Sequence, residues 1–115
     1  MRLPNAENAV VSMDKIEAYC LNPDHTRGKH KARVFHRALG VGVGQASLLK
    51  EALLEIALTA DALFIGSNEY GDHYFVDFFF EYNERRAELR SKWTVHSGEN
   101  FPRRTSCYVK RKVNG

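Results

Sequence analysis

Apolar residues recur with two different periods along this chain, and the change falls near residue 60. From Gln45 to Ala60, Leu48, Leu49, Ala52, Leu53, Ile56 and Ala57 return every three or four positions, with Lys50, Glu51 and Glu55 between them. That spacing puts one apolar stripe along a helix. A second helix is expected over Gly28 to Leu39, with Ala32, Phe35 and Leu39 inward and Gly40 as its stop. A shorter one is expected from about Met13 to Leu21, capped by Ser12 and favoured by Asp14 in its first turn. It ends at Asn22-Pro23-Asp24, because proline removes a donor and disfavours helix before it. Leu3 to Val11 is irregular or extended, broken early by Pro4.

Beyond Ala60 the period becomes two. Ala62 to Ile65 predicts a first strand, and Asn68 to Asp72 a turn. In His73 to Glu81 the positions Tyr74, Val76, Phe78 and Phe80 are apolar, which predicts a strand with one buried face. Ala87 to His96 and Arg103 to Lys110 follow, separated by the turn Gly98-Glu99-Asn100. Leu89, Trp93 and Val95 in the first, and Thr105, Cys107 and Val109 in the second, alternate with polar residues. The expected fold class is α+β: one domain over residues 1–115, with N-terminal helices (about 12–60) packed on one face of a roughly four-stranded antiparallel sheet (about 62–110).

Composition narrows the class. A hydrophobic share of 43% supports a packed core. No apolar run approaches the roughly 20 residues of a membrane helix, and Met1 to Asn5 lacks the apolar region of a secretory signal. No membrane partner is expected. Two cysteines, Cys20 and Cys107, make neither a disulfide framework nor a four-ligand zinc site, and their apolar neighbourhoods suit small buried side chains.

Charge matters by position more than through its net value of +3. Residues 25–50 carry six positive side chains and no acid; residues 51–84 carry eight acids and no Lys or Arg; residues 85–112 carry nine positive side chains against Glu88 and Glu99. If folding brings the two basic segments together, their joint field attracts polyphosphate. Pairing of the acidic middle with the basic ends is the plainer outcome of the same pattern.

The polar sheet face is expected to gather Asp77, Arg90, Lys92, Thr94, His96, Arg104, Ser106 and Tyr108. A wetted antiparallel face is polar in any case, but this one is rich in cations, hydroxyls and an imidazole. Such a set suits stabilising a phosphorane or stacking a base without a metal. The run Gly28-Lys29-His30-Lys31-Ala32-Arg33 is the densest catalytic candidate, since an imidazole exchanges a proton near neutral pH and the cations beside it can neutralise phosphate charge. Lys29, Arg33 and Arg37, with Lys92 and Thr94 on the sheet, are expected to bind RNA. A basic helix facing an acidic protein surface is the structural alternative. His25 and His36 are weaker candidates, and His73 counts only if its strand end reaches the site. Asp77 with Glu88-Leu89-Arg90 faintly resembles the paired acids of metal-dependent nucleases, and His25 with His30 has a spacing near that of helix ligands. The surrounding cations oppose a divalent ion at the histidines. No metal and no cofactor is expected.

Several blocks carry a family resemblance: Leu3 to Val11, Leu21-Asn22-Pro23-Asp24-His25, Gly28 to Phe35, Trp93-Thr94-Val95, and Pro102-Arg103 through Cys107-Tyr108-Val109. Together they resemble a bacterial domain family found alone and at the C-terminal ends of polymorphic toxins. Its organisation is similar to the barnase, EndoU, colicin and RelE-like group of metal-independent ribonucleases. The resemblance implies a helix motif at His30 and Lys31 and a strand motif at Ser106 and Tyr108, with Ser106 where relatives usually have threonine. Arg104 and Thr105 stand where relatives are usually apolar. The implied activity is attack of an RNA 2′-hydroxyl on the adjacent phosphodiester, leaving a 2′,3′-cyclic phosphate. His30 is then base, or acid with His96 opposite; Lys31 and Arg90 or Arg104 stabilise the phosphorane; Ser106 and Tyr108 position phosphate or base. The implied partners are RNA, tRNA included, and an acidic immunity or antitoxin protein, with cytoplasmic action, after delivery if the chain ends a larger effector. A non-catalytic RNA- or protein-binding module using the same patch is the alternative, and a metal-dependent nuclease a more distant one.

Overall fold

The computed structural model describes residues 1–113. Helix α1 opens at Met13–Lys15, where the Ser12 hydroxyl accepts from the Lys15 amide, and continues as a wider π-helical turn over Ile16–Cys20. Ile16 and Cys20 are its buried anchors. Helix α2 spans Lys29–Leu39 and ends at Gly40, whose left-handed φ of 72° frees its N–H to close on His36. Gly28 precedes it so close to the Tyr19 carbonyl that a Cβ there would sit 2.5 Å away. That close approach clamps the π-turn to the start of α2. Helix α3 covers Ala46–Thr59 and buries Leu49, Leu53 and Ala57, as the spacing predicted.

The sheet is a meander, β1 (Leu63–Asn68), β2 (Gly71–Tyr82), β3 (Arg85–His96) and β4 (Pro102–Val113), antiparallel and adjacent in sequence order. A two-residue turn joins β2 to β3, with Asn83 and Glu84 both at positive φ, the mirror-image geometry that matches strand twist. α2 packs on β3 and β4, and α3 on β2. Tyr74, Val76, Phe78 and Phe80 of β2 face this helical layer together with Ala87, Leu89 and Trp93 of β3. Trp93 is fully buried because its indole N–H donates to Ser91 Oγ (2.9 Å), which itself donates to the Val76 carbonyl (2.8 Å). Ser91 is thus a polar residue on the greasy face with every bond made.

Two irregularities in the β3–β4 register alter the expected faces. Trp93 pairs with Arg104 and Lys92 with Ser106, so Thr105 is an extra, exposed residue. The bulge turns Arg104 into the interior, 3% exposed, and not onto the polar face where strict alternation places it. A second bulge between the Leu89–Val109 and Glu88–Arg111 pairs leaves Lys110 unpaired in the ladder and re-aims it.

Candidate active site at the β4 edge

The start of α2 meets β4 at Lys31. Lys31 Nζ lies 4.7 Å from the centroid of the Tyr108 ring, reaching across the sheet edge. Tyr108 pairs in register with Arg90, and Arg90 with Asp77. The Arg90 guanidinium donates to Asp77 through Nε (2.9 Å) and Nη2 (3.0 Å) and covers the Phe75 ring at 4.4 Å. Lys110 adds a third bond to Asp77, 2.8 Å, from its bulge position. Arg90 holds the Asp77 carboxyl below the usual carboxylate range, with Lys110 assisting, while Asp77 raises Arg90 further above its ordinary value. Lys31, Tyr108, Arg90, Asp77 and Lys110 therefore form one charged row running from α2 across the outer face of the sheet. The row is net cationic, so it can receive a phosphate between Lys31 and Arg90 with an aromatic ring beside it.

The other sequence candidates fall in three places. Ser106 joins the row's flank, opposite Lys92. His30 is exposed on α2, one residue from Lys31 and turned roughly 100° around the helix axis; its imidazole makes no hydrogen bond among the described residues. Lys29 is half-buried beside it. Arg33 and Arg37 line a cavity of about 530 Å³ with Leu21, Pro23, Ala32 and His36, on another flank of α2. Thr94 is buried, its hydroxyl 2.9 Å from Nδ1 of His73, while Nε2 of His73 meets Asn68 Oδ1 at 2.9 Å. His96 ends β3, six positions from Arg90, which is about 20 Å along a strand. The geometry does not bring His30 and His96 together.

Glu88 accepts from Arg111 at 2.7 Å, so both carboxylates of the nuclease-like pattern, Asp77 and Glu88, are occupied by cations. Among the described residues no three His, Cys, Asp or Glu side chains converge as a metal-ligand set. Lys110 was missed by sequence reasoning because its aim depends on the second bulge. Phe75 carried a signal: an aromatic residue interrupting the polar alternation of β2.

Arg104 stands apart. Its Nε is sealed from solvent without a hydrogen-bond partner, and its nearest titratable neighbours include Cys20 and Cys107.

Among solved structures the chain is similar to one from a contact-dependent growth inhibition toxin–immunity protein complex of Klebsiella pneumoniae 342. The TM-score is 0.68 at 18% sequence identity, over 96% of this chain and 97% of that chain, a likeness of fold. No curated protein matches the chain. The family described as a domain of unknown function, DUF6883, matches residues 2–111. On that near-complete match, the chain belongs to the DUF6883 domain family.

Proposed function

We propose that this chain is the toxin member of a toxin–immunity pair and that it cleaves RNA without a metal. The observation that carries the reading is the contact of Lys31 with Tyr108, which joins the cationic start of α2 to the Arg90 row. A neighbour of the same fold comes from a toxin–immunity complex, and the basic character of this chain (pI about 9.0) suits the partner that meets nucleic acid. In the proposed step the RNA 2′-oxygen bonds to phosphorus and the bond to the 5′-oxygen breaks. His30 takes the 2′-hydroxyl proton, the departing 5′-oxygen takes a proton from water, and a 2′,3′-cyclic phosphate remains. Lys31 and Arg90 stabilise charge on the phosphorane, and Tyr108 offers its ring to a base. An acidic immunity protein covering this edge would associate fast and in a salt-dependent way.

Incubating the folded chain with tRNA and with bulk RNA in EDTA tests the reading. Fragments with 2′,3′-cyclic ends are expected, and intact RNA in both reactions would overturn it. One observation favours a second reading, a non-catalytic binding module: His30 has no orienting partner among the described residues. That module binds RNA equally well after His30→Ala and cuts nothing.

A further inference from the structure

Cys20 and Cys107 are 87 positions apart in sequence and both 3% exposed, yet the fold sets one against the other. The Cys20 Sγ lies 3.1 Å from the Cys107 carbonyl oxygen, where the π-turn of α1 meets β4. The same spot holds the buried Arg104, whose Nε has no hydrogen-bond partner among the described residues. Its positive charge favours the thiolate form of the nearby Cys20. We infer that Cys20 and Cys107 are a redox-active dithiol that closes to an intramolecular disulfide under a small hydroperoxide oxidant, tying the π-turn of α1 to β4.

The surroundings divide the labour between the sulfurs. The Cys20 thiol is held below its usual range by a side-chain hydrogen bond with the Cys107 thiol and by the fields of Arg104 and Lys31, against the opposing effect of burial. Cys107 is pushed up by its bond to Cys20 and by burial. Cys20 is therefore the nucleophile and Cys107 the resolving thiol. The Cys20 thiolate attacks one oxygen of hydrogen peroxide; the O–O bond breaks, hydroxide leaves, and Cys20 becomes a sulfenic acid. Cys107 then attacks the Cys20 sulfur and gives up its proton, the S–O bond breaks, and water departs as the S–S bond forms. Two thiols are oxidised and one peroxide is reduced to two waters.

The test treats the purified full chain with hydrogen peroxide and follows thiol content in denaturant, peptide mapping and melting temperature. The expected result is loss of both thiols, a Cys20–Cys107 linked peptide in monomeric protein, reversal by dithiothreitol, and a Tm higher by roughly 10 °C because the bridge closes a long loop. Cys107→Ala is expected to stop at a Cys20 sulfenic acid trapped by dimedone, and Lys31→Gln to slow the reaction several-fold. Thiols that persist at peroxide levels oxidising an exposed cysteine peptide would overturn the inference. So would Cys20 over-oxidised beside a free Cys107, or a bridge found only between molecules. If the alanine variant fails to fold, the peptide map of the unaltered chain still decides.

Discussion

The two edges of the sheet are built to opposite rules. At the β4 edge the backbone is partly covered: the Val10 N–H donates to the Pro102 carbonyl and the Arg104 N–H to the Val10 carbonyl, while α2 lies alongside and sends Lys31 over Tyr108. At the β1 edge Leu63, Phe64 and Ile65 are 61%, 48% and 40% exposed, within the segment that has no Lys or Arg. The contrast follows from topology. Because the strands lie side by side in sequence order, the segment without Lys or Arg reaches the β1 edge and the basic segment the β4 edge, and the two meet between β2 and β3, where Asp77 bonds Arg90 and Lys110. α2 joins the basic edge because it packs on β3 and β4, and α3 remains over β2. A meander keeps the order of charge that a crossover would scramble. The result is a molecule with cationic side chains gathered at one edge and an apolar, acid-flanked strand at the other.

Removing the chemistry of the basic edge should have the largest effect. On the proposed reading, His30→Ala lowers RNA cleavage about 10²- to 10⁴-fold and Lys31→Ala about 10²- to 10³-fold. Both are exposed, so their melting curves should stay close to that of the unaltered chain. Rates measured beside thermal melts check this, and a lost fold would void the comparison. Next comes Arg104: Arg104→Met removes the sealed, unpaired Nε and is expected to leave stability unchanged or to raise it by about 1–3 kcal/mol. Urea unfolding reads the outcome, and a clear fall would mean that Arg104 is paid for by a contact of its own.

The Asp77 row is sensitive to acid. Its folded pKa lies below the ordinary value, so the stabilisation is complete above about pH 5 and fades as the pH falls below about 4, toward the depressed folded value. Asp77→Asn should lower Tm by a few degrees at neutral pH and flatten its fall in acid, as melts from pH 7 to pH 3 would record. The smallest effect belongs to the open edge. Phe64→Lys is expected to change stability by no more than about 0.5 kcal/mol, while reducing self-association at high concentration in sedimentation experiments.

Much of this architecture was legible in local pattern. The three helices and the four strands follow from the switch of apolar period at residue 60, and the stop at Gly40 from a residue that tolerates left-handed backbone. The site was legible in part. Lys31 lies over Tyr108, which pairs with Arg90, whereas His96 ends a strand about 20 Å away. Arg104 changes face, and the π-turn replaces regular helix over Ile16–Cys20. Each departure depends on a partner distant in the chain: a bulge exists only relative to the strand it fails to match, and the turn widens where Cys20 meets β4.

The amino-acid order alone settled which residues avoid water and where charge of each sign concentrates, because both are properties of neighbours along the chain. Which cation meets which aromatic ring, that Arg104 turns inward with an unpaired Nε, and that two distant cysteines meet were decided only when strands paired. One extra residue in a ladder reverses every side chain that follows it, and no local period records that choice.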